Sequence, residues 1–351
     1  MKERIILHMG DSKTGTTALQ RAFVAGREAG MWCYPGQRLN HNALAARFRK
    51  GAGDPDIGFA MRAIWDNMRA QNAAISIISA EYFQSVEPAK LAQAIARFWP
   101  EAGDRLALVS YVRPHIGKLI GMYCERLKAG RLHLSLGQYA ARVMEAQRLD
   151  YAPRLAGFRR SFGTRFVALP YVNDHLRGGD VVADFFDRFL PGARPHPGNQ
   201  HPANPSFSRG QVQLMRRLRR AMGAGPLSRH FPRVISLYIR ELGLGADTGP
   251  LGFSVSDIGK LQARYLSDAQ LLERAHWQND GFEQALFTAT PGARPAPLRP
   301  HDIAVFDRVV DANVGAWRAD PEGWTKAAQT QLRNARFGRP VFGDRDLIEL
   351  I

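Results

Sequence analysis

The chain has 351 residues, 45% of them hydrophobic and 23% charged, which suits a folded globular protein of one large domain or two smaller ones and excludes a disordered or fibrous chain. A formal net charge of +16, supplied mostly by arginine, predicts a cationic surface around an anion site, while the lack of a basic tail or aromatic-interleaved repeat argues against nucleic-acid binding. The two cysteines, Cys33 and Cys124, show no metal-ligand spacing, and no apolar run reaches about eighteen residues, so a cytoplasmic chain with no disulfide framework, no metal and no spanning helix is expected.

The opening apolar run, Ile5 to Met9, is too short for a secretory signal and is followed at once by a glycine-rich turn. Near-continuous apolar runs at Arg4 to Met9, Ala74 to Ser79, Arg105 to Val112 and Arg165 to Pro170 predict strands covered on both faces. Between them, amphipathic patterns predict helices at Thr16 to Ala29, His41 to Lys50, Gly58 to Ala70, Pro88 to Phe98 and Pro114 to Ala129. Such alternation argues for a parallel sheet with helical crossovers. Past Gly178 the pattern turns to helices separated by loops, with helical stretches at Ser208 to Met222, Phe231 to Leu242 and Ser256 to Trp277. Proline-rich connectors are expected at Pro191 to Pro205 and at Pro291 to Pro300, the latter preceding a short C-terminal segment. The expected fold class is therefore α/β: a parallel sheet flanked by helices over 1–190, with a mainly helical C-terminal extension packed on it over 191–351.

The stretch RIILHMGDSKTGTTALQRAF carries the chemistry. Gly10 and Gly15 keep the glycine spacing of a Walker A loop, but Lys13 sits between them instead of directly after the second glycine. A strand that ends in glycine, turns through small residues and enters a helix aims several backbone N–H groups at one point, at the positive end of the helix dipole. Ser12, Thr14, Thr16 and Thr17 offer hydroxyl donors, and Lys13 offers a positive charge where a leaving oxygen would develop negative charge. The plainer alternative is a tight turn that needs glycine and uses Thr16 or Thr17 as a cap.

This string, G-x-x-K-T-G-T-T-x-L-Q after an apolar strand, resembles the 5'-phosphosulfate loop of sulfotransferases that use 3'-phosphoadenosine 5'-phosphosulfate (PAPS), in particular their bacterial branch. The resemblance implies a P-loop-like fold and places the 5'-phosphate and sulfuryl group on Lys13 and the loop amides. YVRPHIGKLIGMYCERLKAG is similar to the second motif of that family, which would set Arg113 on the 3'-phosphate; the serine expected eight residues on is here Gly121. Arg113 is alternatively a surface ion-pair partner at a strand end. Similarity continues through YAPRLAGFRRSFGTRFVALPYVNDHLRGGDVVADF and NPSFSRGQVQLMRRL, and RFGRPVFGDR faintly matches a basic glycine loop of the animal enzymes.

Two bases compete for the acceptor proton. Glu81 directly follows the strand AISIIS and should emerge at the same sheet edge as the loop; its alternative is a helix-start charge or an arginine partner. His41 stands on a loop entering a helix and has the pKa for base work, unless it is a solvated or capping residue. His8, within the first strand, is expected to be a satisfied core residue. The expected function is sulfuryl transfer from PAPS, without a metal, to a hydroxyl or amine, with an anionic glycan or glycolipid favoured as acceptor by the charge. The rivals are a nucleotide-dependent kinase, disfavoured by the displaced lysine and the missing Walker B pattern, and a degenerate member that binds an anionic ligand without catalysis.

Overall fold

The computed structural model describes residues 4–51, 53–194, 207–222, 230–277, 281–289, 291–292, 297–337 and 341–342. In chain order the first elements are β1 (Arg4–His8), α1 (Thr16–Glu28), α2 (Asn42–Arg49), α3 (Asp54–Gln71), β2 (Ile75–Ser79), α4 (Pro88–Phe98), β3 (Leu106–Val112), α5 (His115–Lys128), α6 (Leu136–Glu145), α7 (Tyr151–Phe162), β4 (Phe166–Pro170) and α8 (Val181–Phe189). The rest are helices: α9 (Arg209–Met222), α10 (Phe231–Glu241), α11 (Val255–Leu272), α12 (Gln284–Phe287), α13 (Pro300–Ala319) and α14 (Pro321–Phe337). The fold is α/β, with a four-stranded, all-parallel sheet flanked by helices.

The chain divides into two compact units, one of Met1–His115, Leu149–Ala203 and Arg264–Thr288, the other of Ile116–Arg148, Asn204–Ala263 and Ala289–Ile351. The first holds the sheet. Its strands run in the order β2-β1-β3-β4, with Ile6 opposite Ile77 on one side and Ala107 on the other. Ile5, Ile6 and Leu7 are fully buried, as a strand covered on both faces requires. On the face shared by Ile6 and His8, Phe23 of α1 and Phe185 of α8 pack edge-on to the His8 ring at centroid distances of 5.9 and 5.8 Å. Because β2 and β3 flank β1, the chain leaves β1 in one direction and returns on its other side. That order puts a topological switch point between β1 and β3, where the loops diverge and a crevice opens at the carboxyl ends of the strands.

The second unit is helical in its described residues. Its α6 begins with a capping box in which Ser135 accepts from the Gln138 N–H while the Gln138 side chain accepts from the Ser135 N–H. Arg217 of α9 grips Asp307 of α13 through two hydrogen bonds of 2.9 and 2.6 Å, and Phe231 of α10 stacks on Trp324 of α14 at 5.4 Å.

The predicted strands and the first five helices are present with ends shifted by a few residues. Three points differ. Helices α6 and α7, and the short α12, have no counterpart among the expected elements. The helix expected over Ser256 to Trp277 gives way after Leu272 to a π-type turn, Glu273–Trp277. The region after Pro300 is no short segment but two helices, α13 of 20 and α14 of 17 residues. Pro300 stands in the first turn of α13, where its missing N–H costs nothing, so the proline marks a helix start. Most of the connector at Pro191 to Pro205, the start of NPSFSRG, and most of RFGRPVFGDR lie outside the described residues.

Candidate functional site

The turn after β1 is held by Asp11. Its N–H donates to the Tyr111 carbonyl of β3 at 2.9 Å, and its own carbonyl accepts the hydroxyl protons of Thr14 and Thr16 at 2.6 and 2.9 Å. Its carboxylate accepts from the Ser12 N–H at 2.7 Å and pairs with the Arg154 guanidinium of α7 at 3.0 Å. Thr14 and Thr16 are buried, so these two hydroxyls brace the loop from inside and do not face a ligand, contrary to their expected role as donors. Ser12 and Lys13 are half-buried and Thr17 is exposed.

Three residues of this turn take left-handed backbone: Gly10 at φ 89°, Lys13 at 68° and Gly15 at 70°. Glycine is required at the third. A Cβ there would come within 2.5 Å of the Val181 Cγ1, so the loop approaches α8 as closely as a bare backbone allows. Gly15 is also the N-cap of α1 and supplies no side chain to cap it. The first-turn N–H groups of α1 therefore keep the positive end of the helix dipole open to an anion.

Each strand delivers one part of the site from its carboxyl end. From β2 comes Glu81, half-buried, its Cα 3.1 Å from where a Gly10 Cβ would stand. From β3 comes Arg113, whose Nη1 donates to the Lys13 carbonyl at 3.1 Å across the β1/β3 switch point. From β4 comes Tyr171, its ring 5.8 Å from the Arg113 guanidinium carbon and against Gly15. Burial pushes the Tyr171 phenol above its usual pKa, opposed by the Arg113 charge. Arg113 is thus no surface ion-pair partner: it touches the loop itself.

Arg154 and Asp11 are site residues that the sequence does not announce. Besides Asp11, Arg154 donates to the Gln84 side chain at 3.0 Å, in the 3-10 turn Glu81–Ser85, and so ties the loop to the segment bearing Glu81. The residues stand 143 apart in sequence, and no local pattern announces such a pair.

The histidines are structural. His41 is buried, and its Nε2 lies 2.9 Å from the Pro35 carbonyl, which can only accept; Nδ1 must then accept from the Ser79 N–H at 3.1 Å. Both ring nitrogens are engaged with backbone, and burial lowers the pKa to about 4, so His41 does not stand ready as a base. His8 is a core residue but only half satisfied. Ser79 Oγ accepts from the Gln20 amide at 3.1 Å and lies 2.8 Å from His8 Nδ1, while Nε2 is buried without a partner among the described residues. Burial lowers the His8 pKa to about 3.

Gly121, where the resemblance expects a serine, is buried within α5 and has no hydroxyl to give. Among the described residues there is no cluster of three His, Cys, Asp or Glu side chains that could hold a metal, and no helix long and apolar enough to cross a membrane. The chemistry within reach is anion binding by backbone N–H groups and cations, with one carboxylate alongside. In comparisons with protein-family models, curated proteins and solved structures, nothing matches this chain.

Proposed function

We propose that the chain is a PAPS-dependent sulfotransferase with a P-loop-like cradle in the turn after β1. The observation that carries this reading is the convergence of Lys13, Glu81 and Arg113 at the carboxyl edge of one parallel sheet, with Arg113 bonded to the loop across the switch point. The uncapped start of α1 suits the phosphosulfate, and Arg113 suits the 3'-phosphate.

In the transfer, an acceptor oxygen or nitrogen attacks the sulfur, one bond to sulfur forms, and the bond from sulfur to the 5'-phosphate oxygen breaks. The electron pair stays on that oxygen as 3',5'-bisphosphoadenosine departs, and Lys13 stabilises it. Glu81 takes the acceptor proton. In this reading residues 191–351 form a mainly helical C-terminal extension. The missing hydroxyl at Gly121 favours a second reading, a protein that binds an anionic nucleotide or glycan without turnover.

Calorimetry and sulfate release separate the readings. The chain should bind 3',5'-bisphosphoadenosine without magnesium, and Lys13→Ala and Arg113→Ala should each weaken it at least tenfold. Slow release of sulfate from PAPS to water should fall at least a hundredfold in Lys13→Ala with the fold unchanged. Binding without sulfate release would support the non-catalytic reading; binding only of ATP with magnesium would turn the assignment to a kinase; no heat from any nucleotide would defeat both enzyme readings and leave only a protein that binds an anionic glycan.

A further inference from the structure

A pocket of about 440 Å3 opens beside this site, between α3, the start of α2 and the loop before α2. Its size lies in the ordinary range for small-ligand sites. Its wall is built to stay in place. His41 donates to the Pro35 carbonyl at 2.9 Å, Tyr34 donates to the Leu39 carbonyl at 2.8 Å, and Arg27 donates to the Gly36 carbonyl at 2.6 Å, so the loop 35–40 is pinned at both ends. His41 and Tyr34 are buried, which makes these anchors costly to break.

The lining is specific in its chemistry. It carries two arginines, Arg38 and Arg47, and no acidic residue. Arg38 is exposed and makes no hydrogen bond or ion pair with another described residue, while Arg47 spends one donor on the Ala43 carbonyl at 3.2 Å. Three amide side chains line it as well: Gln37, Asn40, whose Oδ1 accepts from the Asn42 N–H at 3.2 Å, and Asn67, whose Oδ1 accepts from the Gln71 amide at 2.8 Å, so that their remaining capacity faces the pocket. The floor is aliphatic, with Leu44 and Ile64. On α3, Phe59, Ala63 and Asn67 follow one another at four-residue steps, so they form one row along the helix. Phe59 heads that row with 72% of its surface exposed, an aromatic face one helical turn before the lining residue Ala63.

Guanidinium forks match carboxylates, side-chain amides match neighbouring hydroxyls, and an exposed aromatic ring covers the C–H face of a sugar. We propose that this pocket binds a saccharide bearing a carboxylate, a uronic acid unit, with its acid group between Arg38 and Arg47. An apolar ligand would leave the Arg38 guanidinium, the remaining Arg47 donors and the Gln37 amide without a protein or ligand partner, and a polyphosphate would gain nothing from the amides or from Phe59. The pocket adjoins the segment that bears Glu81: the His41 ring accepts from the Ser79 N–H, and Asn42 accepts from the Tyr82 N–H at 3.4 Å. That this saccharide is the acceptor rests on the sulfuryl-transfer reading above; that it binds here does not.

The test uses the full chain, calorimetry, and unsulfated tetrasaccharides of hyaluronan, chondroitin and heparosan, with neutral chitotetraose as the control. At least one uronate tetrasaccharide should bind, at least tenfold more tightly than chitotetraose, and more weakly as salt is raised from about 50 to about 300 mM. Arg38→Gln, which breaks no contact among the described residues and so leaves the fold alone, should weaken it about tenfold, Arg38→Gln/Arg47→Gln further, and Phe59→Ser severalfold. Binding of 3',5'-bisphosphoadenosine should be unchanged in all three variants. Failure of every uronate to bind, equal binding of chitotetraose, or unchanged binding in Arg38→Gln would overturn the proposal. Loss of nucleotide binding with saccharide binding intact would strike at the sulfotransferase reading alone.

Discussion

Replacing Arg154 with methionine keeps much of the side chain's length but withdraws the cation that faces Asp11. The Asp11 side chain is 1% exposed and its partner 24%, with 3.0 Å between the charged atoms. Removing one partner of a buried pair costs about 3–5 kcal/mol, and because water reaches part of this guanidinium the expected cost is about 2–3 kcal/mol. The loss should appear first where Asp11 does its holding, in the turn braced by Thr14 and Thr16. Hydrogen exchange read by mass spectrometry gives that locality: at about 1.4 kcal/mol per factor of ten, amides in peptides covering 5–20 should exchange about 30- to 150-fold faster. Combining Arg154→Met with Asp11→Asn should cost less than the sum of the two single changes, since the double variant leaves no buried carboxylate without its cation. Acceleration under about twofold in that peptide, or confined to α7, would show that Arg154 is an ordinary helix residue and that the loop is shaped by other contacts.

Gly15→Ala should destabilise the protein by about 2–4 kcal/mol, from left-handed backbone and from the 2.5 Å approach to Val181, and Val181→Ala in the same chain should recover the packing part, read as thermal midpoints. Asp268→Ala should cost about 2–4 kcal/mol, because Asp268 accepts from the Tyr151 and Ala152 N–H groups that open α7 and from His115 Nε2 at 2.9 Å; faster exchange over 151–156 is the readout. Acid should weaken the fold through His8 and His41, whose folded pKa values of about 3 and about 4 lie below the ordinary 6.5, so the unfolded chain binds more protons between these limits. Their stabilising effect is complete above about pH 6.5 and fades as pH falls, each costing about 2 kcal/mol at pH 5. His8→Phe should remove about half of that histidine-dependent loss; an unchanged slope between pH 7 and 5 would show that His8 is not neutral in the core.

The strands were legible because burial on both faces leaves few choices: Ile5 to Leu7 and Ile77 to Ile78 are apolar without interruption and end in turn residues. Helices with one clear apolar stripe were legible for the same reason. The C-terminal pair α13 and α14 was not, because Pro300 closes a proline-rich run that suggests a connector although it stands in the first turn of α13, as Pro321 does in α14. The capping box Ser135 to Gln138 was present in the sequence as a start signal for α6 and would have found that helix.

The parts of the site at strand ends were legible, since in a parallel sheet the carboxyl ends share one edge whatever the loops do. What a side chain does there was not, because that depends on partners far away in the chain. His41 has the pKa of a base in isolation; only the position of Pro35 and Ser79 around its ring turns it into a brace. Thr14 and Thr16 have the chemistry of ligand donors; only the inward Asp11 carbonyl takes it from them. The consequence for the cradle is a division of labour. Hydroxyls and the Arg154–Asp11 pair fix the shape of the turn, while in the proposed reading the attraction for an anion would fall to backbone N–H groups, Lys13 and Arg113. Backbone N–H groups and guanidinium read charge and geometry and do not discriminate strongly among tetrahedral anions. In the sulfuryl-transfer reading, selectivity for one activated anion over another would therefore come from what lies beyond the turn: the Tyr171 ring beside Gly15, and the carboxylate of Glu81, which would repel an anion seated with a surplus negative oxygen toward β2.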